Sequence, residues 1–188
     1  LCNLYGQEKE LIEALIQVDA KGRGNEKAVQ SWPAVKKLTA SSVPRLLSAM
    51  NTANDLGDNW IRSAVSEILD QDRNDFPLEE CLAFLKDDQN AGSSRKFAYE
   101  IILEHKPNIA QSLTSNFIDD REPTHRRMAV EKLLKSARDA EKPGKSKALF
   151  EKVLSKGREV DQIKEAKAAL EKAGQKIDVQ TLMGFLVD

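Results

Sequence analysis

The 188-residue chain is 40% apolar and 31% charged, with a net charge of −1, nine glycines and six prolines. This composition excludes an intrinsically disordered or collagen-like chain, and the length suits one domain or one elongated array. Aromatic residues make up only 5%, while leucine, alanine, glutamate and lysine are frequent, which favours helices throughout. No apolar run approaches the roughly 20 residues that a membrane-spanning helix requires.

The first predicted unit is an irregular helix pair over residues 7–38. Its helices are QEKELIEALIQVDA (7–20) and NEKAVQSWPAVKKL (25–38), separated by the turn KGRG. Glycine and charged residues in that turn are typical of a helix end. Pro33 is expected to bend or restart the second helix, because proline removes a backbone donor.

Three regular helix pairs are predicted between residues 43 and 136. The second helix of each pair carries a basic residue followed by apolar residues at i+2, i+3, i+6 and i+7, and these basic residues are Arg62, Lys96 and Arg127. At 3.6 residues per turn the apolar positions form one stripe, so each helix buries a single face. The first helices start near prolines, which suit a first turn: Pro44, Pro77 and Pro107. Both markers repeat every 30–34 residues.

The turns within these pairs are predicted at NDLGDN (54–59), DDQNAGSS (87–94) and DDREPTH (119–125). Each combines Asp or Asn with Gly, Pro or Ser, as expected where one helix stops and the next is capped.

A basic helix pair is predicted over 143–174, followed by an apolar terminal segment over 178–188. Residues 132–176 carry 13 basic and 7 acidic side chains, whereas residues 1–131 carry 16 basic and 21 acidic ones. The basic region either faces an acidic partner or is a solvated helix surface. Met183, Phe185 and Leu186 are expected to cap the last pair or to contact whatever follows Asp188.

The repeat predicts an all-α, right-handed solenoid of about five helix pairs in a single domain, 1–188. A helix pair of this size cannot bury its own apolar face, but stacked pairs can. The alternative is a bundle of unrelated amphipathic helices.

The stretch DNWIRSAVSEIL (58–69) resembles the second helix of HEAT-like repeats, the short bacterial kind also found in phycobilin-lyase relatives. Asp58, Ile61, Arg62 and Ala64 match the family pattern Asp-x-x-Val-Arg-x-Ala. The resemblance implies that Arg62 stitches adjacent repeats through a charge-assisted hydrogen bond with an Asp. The later copies depart from the pattern, because Arg95 and Arg126 replace the apolar residue before the basic one. The resemblance also implies a segment of a larger multidomain bacterial protein.

Catalytic and cofactor motifs do not emerge from the sequence. PGKS (143–146) lacks the first glycine and the preceding strand of a phosphate-binding loop. His105 and His125 are not at zinc-ligand spacing, and His125 is expected at a solvated helix start. Cys81 lies in an apolar helical pattern and is predicted to be a core cysteine. We therefore expect a protein without enzymatic activity, cofactor or metal.

The predicted function is protein–protein interaction or scaffolding, with a protein partner or adjoining domains of the same polypeptide. Solenoids present an extended surface, and six residues near the basic repeat position are the candidates to line it: Trp60, Arg62, Arg95, Lys96, Arg126 and Arg127. These side chains could instead stitch repeats together. The alternative function is nucleic-acid binding, as in HEAT-like proteins that resemble glycosylases for alkylated DNA bases, although the acidic first two thirds of the chain disfavour it. The compartment is undecided.

Overall fold

The computed structural model describes residues 2–71 and 75–177. These residues form helices and connecting turns, with no strand among them, so the all-α prediction is confirmed. The predicted apolar segment over 178–188, with Met183, Phe185 and Leu186, lies outside the described residues. None of the helices in this part of the chain is long and apolar enough to cross a membrane.

The described helices follow one another along the chain in the predicted order, two to each predicted pair. Two 3₁₀ turns accompany them, at Ala40–Ser42 and Thr114–Asp119. The pairs are α1 (Cys2–Ile16) with α2 (Asn25–Val35), α3 (Val43–Met50) with α4 (Asp55–Gln71), α5 (Leu78–Lys86) with α6 (Gly92–His105), α7 (Pro107–Leu113) with α8 (Pro123–Arg138), and α9 (Pro143–Lys156) with α10 (Val160–Lys172).

The chain divides into two compact units, residues 1–110 and 111–188. In the first unit, α1 packs on α2, α3 and α4, and α3 packs on α4, α5 and α6. The first helix of a pair therefore contacts both its own partner and the second helix of the next pair. This is the packing of a solenoid-like all-α fold. That the pairs form one right-handed superhelix stays a prediction.

The second unit is built around α9, which packs against both α8 and α10. Its core is a cluster of buried apolar side chains from these three helices: Val130, Leu134, Ala137, Phe150, Val153, Ala166 and Leu170. The 3₁₀ turn Thr114–Asp119 packs on α8.

Polar contacts recur between residues about one repeat apart in sequence, which is what stacked pairs require. Each joins one helix pair or its turn to the next within the same unit. In the first unit they are Arg45–Glu8, Asn54–Val18, Gln71–Lys36, Arg62–Glu100 and Asn51–Asn90, with separations of 35–39 residues. In the second unit they are Arg127–Asp161, Gln162–Arg127 and Lys156–Asp119, with separations of 34–37 residues.

The repeated apolar skeleton is buried in α4 and largely buried in α6 and α8. Ala64, Val65, Ile68 and Leu69 of α4 are at most 2% exposed. In α6 the buried face is shifted toward Phe97 and Ile101, and Leu103, predicted to be buried, is 38% exposed. The guanidinium of Arg62 lies over the Phe97 ring, 4.3 Å from its centroid.

The turn predicted at 54–59 is shorter than expected, because α4 already begins at Asp55. The Asn54 side chain caps the helix: its Oδ1 accepts hydrogen bonds from the backbone N–H groups of Leu56 and Gly57, both at 3.0 Å. Its Nδ2 donates to the Val18 carbonyl oxygen at 2.8 Å, which ties the cap to the first pair. Gly57 therefore lies in the first turn of a helix and does not end one.

Most prolines occupy the helix starts where they were expected. Pro44 is the second residue of α3, Pro107 and Pro143 are the first residues of α7 and α9, and Pro77 directly precedes α5. Pro33 was expected to bend or restart the second helix, and it does not restart one. It lies inside α2, which ends two residues later at Val35.

Candidate partner-binding surface

Trp32 and Trp60 meet edge to face across α2 and α4. Their ring centroids are 5.3 Å apart and their planes are inclined by 65°. Such an aromatic pair stabilises the contact between two helices by about 0.5–1.5 kcal/mol beyond its buried area. Both side chains remain partly exposed, so the pair is also accessible from outside the fold.

Two exposed apolar side chains lie one helical turn before the tryptophans. Val29 lies one turn before Trp32 on α2 and is 55% exposed, and Leu56 lies one turn before Trp60 on α4 and is 40% exposed. Leu56 and Trp60, with Asn59 and Ser63, line an open cavity of about 230 Å³. We call Val29, Trp32, Leu56 and Trp60 the tryptophan surface. Two of the four exposed large hydrophobic residues found among the described positions belong to it.

Arg62 bridges two helix pairs, as the sequence resemblance implied, but its partner differs. Its Nη1 donates to Oε2 of Glu100 on α6 at 3.0 Å. Asp58, the Asp of the same motif, lies on the same helix as Arg62 and has a buried Oδ1 without a hydrogen bond. Burial raises the pKa of the Asp58 carboxyl, and the positive charge of Arg62 opposes this only in part.

Lys96 and Arg127 are also engaged with carboxylates. Lys96 lies 4.0 Å from Glu100 on its own helix. Arg127 of α8 donates through Nη1 to Asp161 of α10 at 3.0 Å and lies 3.7 Å from Glu159. The Arg127 side chain therefore lowers the pKa of Asp161 through its hydrogen bond, and the pKa of Arg127 is raised in turn.

Arg95 and Arg126 each tie a helix to the element that precedes it. Arg95 is 4% exposed, and its Nε donates to the Leu85 carbonyl oxygen at 2.8 Å, near the end of α5. Arg126 donates through Nη1 to the Asp120 carbonyl oxygen at 2.7 Å, just after the 3₁₀ turn. Both guanidiniums satisfy carbonyl groups that a helix end leaves without an intrahelical donor.

The six sequence-predicted residues thus divide by location. Trp60, Arg62 and Lys96 lie in the first unit, where Arg62 and Lys96 share Glu100. Arg95 holds α6 to α5, while Arg126 and Arg127 lie in the second unit. Of these, only Trp60 belongs to an exposed apolar surface. The sequence did not lead us to Val29, Trp32 and Leu56. A signal was present, because Val29 and Trp32 are three residues apart and Leu56 and Trp60 four, the spacings of residues on one helix face.

His125 and Cys81, two side chains that the sequence analysis singled out, are both buried. His125 was expected at a solvated position, and that is wrong: it is fully buried, stacked on Phe117 at 4.5 Å, with Nδ1 3.7 Å from Oδ1 of Asp120. Cys81 is buried as predicted, and burial raises the pKa of its thiol to about 12. Within residues 2–71 and 75–177, no group of three or more His, Cys, Asp or Glu side chains is arranged to hold a metal ion.

Comparison of the chain with protein-family models, with curated proteins and with solved structures finds no match.

Proposed function

We propose that the chain is a non-catalytic protein-interaction module, a HEAT-like scaffold within a larger polypeptide, and that it binds its partner through the tryptophan surface. The observation that carries this proposal is the partly exposed contact between Trp32 and Trp60, with exposed Val29 and Leu56 one turn earlier on the same two helices. Contiguous exposed apolar surface is uncommon on proteins that act alone. Tryptophan is also enriched among the residues that dominate interface energetics.

The rigidity of the surface supports this role. Trp32 and Trp60 are held by each other and by two packed helices, so binding orders few additional side chains. Preorganised aromatic contacts lose little conformational entropy on association. Asn54 further fixes the start of α4, directly before Leu56.

Photo-crosslinking tests the proposal with the full chain in its native cells. A benzoylphenylalanine placed at Asn59, beside Trp60, is expected to yield a discrete adduct, whereas one at exposed Glu79 on α5 is not. Leu56→Asp should abolish the adduct, and Val160→Asp, which alters an exposed apolar residue elsewhere, should preserve it. The partner identified from the adduct should then bind the purified chain, and Leu56→Asp should weaken that binding at least about tenfold. An adduct that survives Leu56→Asp would refute the proposal.

The nucleic-acid alternative has less support. Arg62, Lys96 and Arg127 contact carboxylates, so their charges are already partly neutralised. A duplex binder needs several cations free to neutralise phosphates on one face. Titration of the chain with a short duplex across a salt series is expected to show no binding even at about 50 mM salt. Steeply salt-dependent binding would favour the alternative over the scaffold.

A further inference from the structure

The second unit carries a basic groove that the tryptophan surface does not include. Three of its lining residues are apolar, Ile118 in the 3₁₀ turn and Ala129 and Leu133 on α8, and we call these three the floor. Lys132 of α8 and Lys152 of α9 also line the cavity. The cavity has a volume of about 110 Å³, enough for one apolar side chain and too small for a folded element. We call it the α8–α9 groove.

The groove continues into a wider, polar cavity at the start of α9. Ser136 lines both cavities, which makes them adjacent. The second one, of about 510 Å³, is bordered by Lys142 and Lys145 together with Asp139 and Glu141. A ligand lying along both would therefore meet two lysines around an apolar pocket and then a mixed, hydrated region.

The lysines of the groove and of the adjoining cavity have no carboxylate partner among the described residues. Lys132 donates to the backbone carbonyl oxygen of Gln111 at 2.9 Å, a contact that leaves its charge uncompensated. In the described part of the chain, no carboxylate lies within ion-pair distance of Lys142, Lys145 or Lys152. The neighbouring cations differ: Lys147 and Lys156 pair with Glu151 and Asp119. Lys132 and Lys152 thus bring positive charge without a carboxylate partner to the groove itself, whereas Lys142 and Lys145 share the adjoining cavity with Asp139 and Glu141.

We propose that the α8–α9 groove binds an acidic peptide segment that carries an apolar anchor residue. The anchor fills the pocket over Ile118, Ala129 and Leu133, and carboxylates on either side of it pair with Lys132 and Lys152. Charge complementarity steers and orients such a segment, while the buried anchor provides most of the affinity.

A nucleic acid fits the same features less well. Asp139 and Glu141 border the wider cavity, where phosphates would meet them at close range. The pocket floor offers aliphatic side chains and no aromatic ring on which a base could stack. An acidic peptide avoids both problems, because its anchor matches the floor and its remaining residues can be polar and hydrated.

The α8–α9 groove, like the tryptophan surface, would bind a protein, but it lies on a different surface and in the other unit. Failure of one therefore leaves the other standing. Leu56→Asp, which should disrupt the tryptophan surface, is expected to leave binding at the groove unchanged.

The test uses the full chain and a synthetic twelve-residue peptide of Asp and Glu with one central Leu, titrated by fluorescence anisotropy. Binding is expected at low salt and should weaken as salt increases. Lys152→Glu should reduce the affinity about tenfold or more, whereas Lys164→Glu, the same charge reversal at an exposed position on α10, should reduce it no more than about threefold. A peptide with Ser in place of the central Leu should bind at least about tenfold more weakly.

Three outcomes would overturn the proposal. The first is absence of peptide binding at low salt. The second is equal loss in Lys152→Glu and Lys164→Glu, which would mean diffuse attraction to a basic surface. The third is evidence that the apolar anchor does not contribute to recognition. Either equal binding of the Leu and Ser peptides or displacement of the peptide by a lower concentration of short duplex DNA would provide it.

Discussion

Gly57 lies where the first turn of α4 approaches the end of α1. A Cβ atom at this position would lie 3.0 Å from the Ile16 Cα and 3.2 Å from the Ile16 carbonyl oxygen. Backbone cannot move aside as a flexible side chain can. The glycine therefore allows the two helices to approach closely, and Asn54 caps α4 at the same place.

We expect Gly57→Ala to lower the free energy of unfolding by about 1 kcal/mol or more, because overpacking of about 1–3 kcal/mol exceeds the gain in helix propensity. Gly144→Ala is the matched control. It lies in the first turn of α9 with no atom within 4 Å of the added Cβ, and it should raise the free energy of unfolding by about 0.4–1 kcal/mol. Urea unfolding measures both. Equal stabilisation in the two variants would show that the end of α1 moves readily.

The contributions of Asp58 and Asp161 to the free energy of unfolding should change with pH in opposite directions. Burial raises the pKa of Asp58, so its ionised form opposes folding above the folded-state pKa. The bond from Arg127 lowers the pKa of Asp161, so its contribution is present above the unfolded-state pKa and is lost as pH falls through the folded-state pKa. Relative to wild type, Asp58→Asn should gain stability between pH 3 and pH 7, and Asp161→Asn should lose it. Urea unfolding at several pH values measures both. If the stability of either variant changed with pH in parallel with that of wild type, the pKa shift assigned to that aspartate would be contradicted.

Cys81 should react with thiol reagents only when the protein unfolds. Its side chain is buried and its pKa is raised to about 12, so almost no thiolate is present at pH 8. In a Cys2→Ser background, labelling of Cys81 is expected to be slow in buffer and to accelerate through the urea transition. Rapid labelling of the native protein would mean that α5 opens locally without global unfolding.

At the scale of the element, Arg62 connects consecutive helix pairs by two different contacts. It pairs with Glu100 and also lies over the ring of Phe97. A double-mutant cycle of Arg62→Ala and Glu100→Ala should give a coupling of about 0.2–1 kcal/mol that declines with salt, as for exposed ion pairs. Arg62→Ala should cost more than Glu100→Ala, because the cation–π contact adds roughly 0.5–1 kcal/mol. Equal costs for the two single variants would show that Phe97 contributes nothing to the bridge.

The sequence predicted the presence of the helices better than the residues at which they begin and end. Apolar periodicity predicted helices correctly because the buried stripe of a helix is a local property, as Ala64, Val65, Ile68 and Leu69 show. The start of α4 was misplaced because Gly57 was interpreted as a turn residue. Its requirement comes from Ile16, some 40 residues earlier in the chain. Contacts of this kind are set by packing and leave no local signal.

The candidate surface was predicted only in part for the same reason. Trp60 was identified, but its contact with Trp32 depends on the packing of α2 beside α4. The repeated cations were recognised as a pattern, yet their partners could not be assigned. Arg62 binds Glu100, which occupies a position that the repeated motif does not specify. Arg95 binds a backbone carbonyl oxygen, a group that every residue carries and that a sequence pattern therefore does not mark. Burial of His125 likewise depends on Phe117 from the preceding 3₁₀ turn.

At the scale of the whole molecule, the two units differ in net charge. Residues 1–110 carry 13 basic and 17 acidic side chains, a net charge of −4. Residues 111–188 carry 16 basic and 13 acidic ones, a net charge of +3. The core cluster of the second unit draws only on α8, α9 and α10. Arrays whose elements contact only their neighbours lose cooperativity more readily than a single globular core.

We therefore expect thermal unfolding to depart from two-state behaviour, with a calorimetric enthalpy larger than the van't Hoff enthalpy. Leu170→Ala, at a fully buried position in the second unit, should cost about 2–5 kcal/mol and lower one transition while leaving the other in place. Leu46→Ala, fully buried in the first unit, should lower the other transition by a comparable amount. If both variants shift one common transition with equal calorimetric and van't Hoff enthalpies, the chain unfolds as a single cooperative unit. Each repeat would then be stabilised by the whole array and not only by the pairs beside it.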